Sequence, residues 1–536
     1  MEQQDLNKRL LLALVLSFFV FVGYSYFFPV QKPTQTQESV STTGTATHQT
    51  PTVTNSTKVA PLTAQASMHN KAPIQQGSPL LAELKSDNFI MRIDEFGRIA
   101  QFELLEKKYQ GDEGVNLQIL GTDMVKPLEI RFSDAKINEE AFTIPYVNNG
   151  EKVIDVNTGT QTLTLTQTLS SVVVTKAITL KSTGEYTVSV KTSIDTPYFI
   201  TPGHRPMADT SMYMLVRGVL IKGEDNIINT IEDDDAEGYE KFNHAKIASA
   251  FDRYMASLFF DFDKGLNVSV LKQANGDPLL FVQGTEDFML HAYIGPKNQN
   301  TLEAIHIELT DAIEFGWFSF LSKPFFAVLL WINGYVGNWG WSIILFTLLV
   351  KFVLFPLSYK GMMSMQKLKD LAPKMKEVKE KYKGDPAKMN AQMMDMYKKH
   401  GANPMGGCLP LLLQIPVFFA LYRVLLNAVE LEGAPWILWI ENLAQMDPYF
   451  VLPLLMGASM WFQQRITPNN FTDPLQEKIF KFFPIIMTVF FIYFPAGLVL
   501  YWLINNLFTI GQQYFINYMY AKHKADNALA HKKQKD

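Results

Sequence analysis

Residues 339–357 read WGWSIILFTLLVKFVLFPL, 19 residues with one charge, Lys351, placed two-thirds of the way along. At about 1.5 Å per helical residue the stretch matches a hydrocarbon layer about 30 Å thick, so it is predicted to cross a membrane. An ionised side chain at that depth costs about 2.5–3.5 kcal/mol, so Lys351 is expected to face water or a partner. Snorkelling is the competing use, but the cytoplasmic end lies about nine residues, or about 13 Å, away.

Further apolar runs follow at Leu409–Val429, Tyr449–Phe462, Ile479–Phe494 and Gly497–Tyr520. Loop charges orient them. Residues 359–408 hold eleven Lys and five acids, which puts that loop in the cytoplasm. Residues 430–447 carry Glu430, Glu432, Glu441 and Asp447 with no Lys or Arg, as suits the opposite side. Arg465, Lys478 and Lys481 mark the next cytoplasmic loop, and the tail 521–536 has five Lys against two Asp. An uncharged run, Leu10–Phe28, follows Lys8 and Arg9 and ends without small residues, so 1–30 reads as an uncleaved anchor. Six spans with both termini cytoplasmic satisfy every loop. Trp317–Tyr335 is a rival span, but crossing there would put the eleven-lysine loop outside. Residues 313–337 are therefore expected to lie in the outer interface as an amphipathic helix. Tyr449–Phe462 and Ile479–Phe494 give only about 21 and 24 Å of helix. Either each gains a turn at its ends or the bilayer thins around them.

Between anchor and core the texture changes twice. Residues 31–83 are rich in Gln, Thr, Ser and Pro, a composition that cannot bury enough apolar surface to order itself, and read as a tether. Residues 84–312 alternate polar and apolar positions, as in QTLTLTQTL at 161–169 and EYTVSVK at 185–191, with strand-like Val172–Lys181 between them. Asn267–Leu271 and Asp287–Ile294 continue the pattern, which predicts one large antiparallel sandwich outside the cytoplasm. The chain has 536 residues, a net charge of −4 and one cysteine, Cys408, which excludes an intrachain disulfide framework and a Cys-based zinc site. Scattered histidines, including His204, His244, His291 and His306, offer no ligand spacing, and no common enzyme fingerprint is present. No metal and no cofactor are expected.

Within the core, Thr347, Gln414, Asn505, Asn506, Thr509, Gln512 and Gln513 join Lys351 and Arg423 in predicting a hydrated cavity. Arg423 shares a helical face with Asn427 and Glu430 by spacing, so an Arg423–Glu430 pair near the outer rim and a place in the cavity are equally open. Residues 360–400 read as a cytoplasmic helical hairpin turned at Lys383-Gly-Asp-Pro386, with Asp385 as N-cap and Pro373 breaking or kinking the first arm. Nine methionines between Met362 and Met405 suit a hairpin core or adaptable binding of apolar partners. Its lysines suit a solvated face, anionic lipid or ribosomal RNA.

NPMGGCLPLLLQIP at 403–416, with the following VFFALY, closely resembles the signature of the YidC membrane-protein insertases, relatives of the mitochondrial Oxa and chloroplast Albino proteins. VGNWGWSIILFTLLVKFVLFPLS, DPLQEKIFKFFPIIMTVFF and FPAGLVLYWLINNLFTIGQQ match the same family in the same order, over about 320–520. The resemblance implies a five-helix core at 338–520 with a hydrophilic groove open to the cytoplasm and to lipid, and a periplasmic supersandwich like that of galactose mutarotase. It implies a multi-pass protein of the bacterial inner membrane that inserts and helps fold membrane proteins, without catalysing a reaction. Implied partners are nascent membrane proteins, the Sec translocon, translating ribosomes, targeting factors and membrane lipids. The groove cation, usually Arg in Gram-negative members, falls on Lys351 and the groove threonine on Thr347. A Tyr pair falls on Tyr501 and Trp502, so one hydroxyl is missing, and Arg423 replaces a commonly aromatic residue. The hydrophobic slide falls on Phe418, Met456 and Phe490. The main rival is a secondary transporter using the intramembrane charges; it lacks a visible internal repeat and gives the hairpin no use. A tethered carbohydrate enzyme lacks a persuasive pair of carboxylates.

Overall fold

The computed structural model describes residues 79–110, 114–209, 216–400, 409–467 and 474–533. The expected anchor, the tether up to residue 78 and residues 403–408 of the signature lie outside them. The tether ends earlier than composition suggests, because Leu80–Lys85 is already a strand, with Ala82 and Leu84 buried.

Nineteen strands among the described residues form three sheets. The first has five, with Phe89–Asp94 flanked by Ile99–Leu104 and Leu80–Lys85; Val153–Asp155 joins Leu80–Lys85 in parallel, a departure from the all-antiparallel expectation. The second has nine, centred on Asp287–Pro296 between Met255–Phe260 and Glu185–Thr192. The third has five and includes Leu266–Lys272 and Pro278–Gly284. Alternation decides the outer strands: in Gln161–Thr168, Leu163, Leu165 and Gln167 point inward while Thr162 and Thr164 face out. Met255–Phe260 and Ile247–Phe251 are buried on both faces and are correspondingly apolar apart from Ser257 and Ser249.

Short helices punctuate the β domain. Asp134 caps α1 (Ala135–Ala141), accepting from the Lys136 and Ile137 amides, and Asn298 caps α2 (Gln299–Ile305). A 3₁₀ turn, Ile307–Ala312, then leads towards α3 (Ser319–Val336). Lys222 ties that turn to the nine-stranded sheet through Glu308 at 2.5 Å and Asp311 at 2.7 Å, and Asp311 also pairs with Lys323 on α3. The Lys222 hydrogen bond holds the Glu308 carboxyl below its usual range. On α3, Ser322, Phe326, Leu329 and Ile332 are buried while Phe320, Trp331 and Tyr335 are exposed. Its exposed side is mostly aromatic, with Lys323 as its one charge.

Then come α4 (Trp339–Lys381), α5 (Pro386–Lys399), α6 (Leu409–Asn427), α7 (Val451–Ile466), α8 (Pro474–Phe491) and α9 (Ala496–Lys533). By length and composition α4 is long and apolar enough to cross a membrane; among the described residues it is the one helix that meets both conditions. Pro373 does not end it: the helix continues eight residues further, to Lys381. Asp385 caps α5 as expected, accepting from the Lys388 amide at 3.1 Å, with Pro386 in the first helical position, where its missing N–H costs nothing. α7, of 16 residues, and α8, of 18, are about 24 and 27 Å long.

Candidate functional site

The residue that decides the spans also organises the polar interior. One turn separates Thr347 from Lys351 on α4. Thr347 is 1% exposed and donates to the Ile343 carbonyl at 2.6 Å, so its hydroxyl is absorbed by its own helix. Lys351 reaches across to α9, where its ammonium donates to Thr509 Oγ1 at 2.9 Å, and that hydroxyl donates to the Asn505 carbonyl at 2.7 Å. No carboxylate meets Lys351 among the described residues. Phe352 and Phe508 close the contact edge to face, centroids 5.4 Å apart.

The polar positions of α9 repeat at helical spacing, so Asn505, Thr509 and Gln512 lie along one side. Asn505, Asn506, Gln512 and Gln513 are all buried. Asn506 donates to Ser459 Oγ on α7 at 3.2 Å, and Ser459 in turn to the Met456 carbonyl at 2.6 Å. Gln513 and Gln366 of α4 both donate to Asn517, the former at 2.7 Å. Gln512 Nε2 is buried with no partner among the described residues. Burying this many amides in hydrocarbon would be costly unless they meet one another or water. α4, α7 and α9 therefore share a polar seam, and Ser459, a small residue in an apolar run, gave no signal in sequence.

The remaining expected residues divide. Tyr501 is buried, and Gln414 is half-buried on α6. Trp502 meets Phe418 at 4.7 Å and Phe491 at 5.1 Å, so it belongs to an aromatic cluster between α6, α8 and α9. Phe490 is 38% exposed and lies tilted against Phe494, centroids 4.8 Å apart. Met456, expected on an open apolar track with Phe418 and Phe490, is instead fully enclosed, because α9 and α8 both pack on α7.

Arg423 requires a correction. It shares a face with Asn427, but both address Glu314: Arg423 Nη1 donates to Oε2 at 3.1 Å and Asn427 to the Glu314 carbonyl at 2.6 Å. Glu430 cannot continue the face, because α6 stops at Asn427 and Ala428 is extended. Its Oε1 accepts from the Gln299 amide at 2.8 Å instead. The end of α6 is also capped from the β domain, where buried Arg253 donates to the Leu426 carbonyl at 2.6 Å. A cation there meets both an orphan carbonyl and the negative end of the helix dipole. Neither Glu314 nor Arg253 stood out in sequence, since each contact spans over a hundred residues.

Residues 331–524 match the family model described as the 60Kd inner membrane protein, and residues 277–328 match that of the YidC periplasmic domain. A membrane protein insertase YidC of Campylobacter jejuni is 48% identical over 520 residues, covering 96% of this chain and 97% of that one. Its namesake in Wolinella succinogenes is 46% identical over 518 residues, covering 96% of each chain. In Helicobacter pylori the figure is 44% over 544 residues, covering 96% of this chain and 97% of the relative.

Proposed function

Since the chain belongs to the YidC family of membrane protein insertases, we propose that it moves short polar segments across the inner membrane through a hydrophilic groove bearing Lys351 and releases the attached apolar helices into lipid. The observation that carries this reading is the state of Lys351: a half-buried ammonium with one hydroxyl partner and no carboxylate among the described residues. A cation left so nearly alone in an apolar span is costly, and an acidic side chain on an incoming segment would relieve that cost. Lysine offers a flexible point charge where arginine would offer a fork, so it favours passage over tight pairing.

The transfer step is limited by desolvation of the moving segment. The seam of Asn505, Asn506, Thr509, Gln512 and Gln513 supplies amide and hydroxyl partners that stand in for water along part of the path. The short α7 and α8 fall below the usual hydrocarbon thickness, so the remaining barrier is thinner there. The membrane potential, worth about 2.3 kcal/mol per charge per 100 mV, draws acidic residues outward. Phe418, Phe490 and the aromatic cluster around Trp502 give the substrate helix an apolar edge on its way to lipid; enclosed Met456 would join that edge only if α7 and α8 part. Six spans, cytoplasmic termini, and cooperation with the Sec translocon, ribosomes and targeting factors belong to the same reading.

The test is reconstitution of the purified chain in liposomes, scored by protease protection of a small membrane protein whose translocated segment is acidic. Protection lost with Lys351→Ala and kept with Lys351→Arg is the expected result. Equal protection in all three would remove the cation from the mechanism.

A further inference from the structure

α3 hands over to α4 through Gly337, in the left-handed region at φ 67°, and Asn338, whose amide donates to the Pro435 and Trp436 carbonyls at 3.2 Å. Beside this turn lies a cavity of about 540 Å³ between the β domain and the helices. Its wall includes Asn333 and Gly334 of α3, Trp339 of α4, Lys108 and Asn300 of the β domain, and Glu430. Glu430 Oε1 is satisfied by the Gln299 amide, but Oε2 is buried and has no partner among the described residues. Burial pushes this carboxyl up from its ordinary value, the mark of an acid lacking a counterion. Lys108 lends Glu430 its charge from a distance but makes its contact with Glu106, at 3.0 Å. What Oε2 lacks is a charged N–H donor. The rest of the lining is donor-rich, with Lys108, Asn300 and Asn333.

Depth comes from the aromatic residues around the turn. Trp331 and Tyr335, exposed and in edge-to-face contact at 5.2 Å, stand on the free side of α3, and Trp341 is exposed one turn beyond. Amphipathic rings of this kind collect at headgroup level. We propose that this cavity binds the headgroup of an aminophospholipid, its primary ammonium donating to the Glu430 carboxylate and its phosphate held by Lys108 and the Asn300 and Asn333 amides. The acyl chains then run down the exposed side of α3. The lipid pins the junction where the β domain meets α3 and α4. This assignment rests on the membrane placement of the functional reading above.

The experiment is native mass spectrometry of the delipidated full-length protein in detergent, competing phosphatidylethanolamine against phosphatidylglycerol and phosphatidylcholine with identical chains. A preference of about tenfold for the ethanolamine lipid is expected, as for one hydrogen bond to a charged group. Glu430→Gln should abolish the preference and leave phosphatidylglycerol binding unchanged. Gly334→Leu provides the folding control: a Cβ there meets no atom within 4 Å, and leucine favours the helix, yet the side chain enters the cavity. It should remove the preference in a protein of unchanged thermal stability. Equal binding of the three lipids, or a preference that survives both substitutions, overturns the proposal. Displacement by free phosphoethanolamine would replace the lipid by a soluble amine and overturn it equally. A nitroxide at Tyr335→Cys, in a Cys408→Ser background in liposomes, separates the two readings. A water-exposed label contradicts the membrane placement; interfacial depth without lipid preference contradicts only the lipid site.

Discussion

Lys176 and Lys351 are both drawn into apolar surroundings, and the fold treats them in opposite ways. Lys176 stands on the strand Val173–Leu180 at a position that alternation turns inward, and it is fully buried. Its ammonium donates to the Gly97 carbonyl at 2.8 Å and the Leu128 carbonyl at 2.9 Å, and lies 4.9 Å from the centre of the Tyr146 ring. The buried ion pairs Arg98–Asp94, Arg98–Glu129 and Arg131–Glu129 belong to the same core. Lys351 has one hydroxyl. A buried amino group whose hydrogen bonds its own fold supplies is part of the architecture, whereas one left with a single hydroxyl is available to something that arrives later.

The contrast is broken most forcefully through Lys176. Lys176→Met orphans two buried carbonyls and should destabilise the β domain by about 2–3 kcal/mol, measured by thermal unfolding of the full chain. Insertion at a temperature where the variant is folded should be unchanged. Lys351→Met should do the reverse: insertion of an acidic segment falls about tenfold, the equivalent of 1.4 kcal/mol, while the unfolding temperature barely moves. A large stability loss at Lys351 would erase the distinction.

Proton linkage sharpens it further. Burial, as the largest cause, brings the Lys176 ammonium down from its ordinary 10.5 to about 7. Between those values the unfolded chain holds a proton that the folded chain lacks, so stability rises with pH across that window. The expected gain is about 1 kcal/mol between pH 7 and pH 8, and it should shrink in Lys176→Met. The smallest effect is expected at Arg423. Its charge is already met by Glu314, so Arg423→Gln should change insertion by less than about twofold, the cost falling on the seating of α6.

Local pattern carried far in this sequence, and non-local pairing did not. Alternation located Gln161–Thr168, Val173–Leu180 and Glu185–Thr192 to within about a residue, because one face of each strand is buried. The turn at Asp385-Pro386 was legible because capping needs a specific side chain beside a specific imino acid. The parallel pairing of Leu80–Lys85 with Val153–Asp155 was not, since neither strand encodes its neighbour. Of the two effects expected of Pro373, a break is absent, since α4 continues to Lys381. At the site, Lys351 announced itself by the cost of a charge in a 19-residue apolar run, but its partner Thr509 lies 158 residues away. Of the two uses left open for Arg423, the pair with Glu430 falls away because i, i+7 spacing assumes a helix that reaches Glu430, and α6 ends first.

The central claim is that the Lys351 charge attracts an acidic group of the passing segment, and a charge swap tests it most directly. Protease protection would be measured in liposomes without a membrane potential, for wild type and Lys351→Glu, each with an acidic and a basic version of the same translocated segment. The account predicts that wild type protects the acidic segment better, and that Lys351→Glu reverses the preference while total activity with the matched pair is kept. Loss of both segments in a folded Lys351→Glu protein, or an unaltered preference for the acidic one, would contradict it.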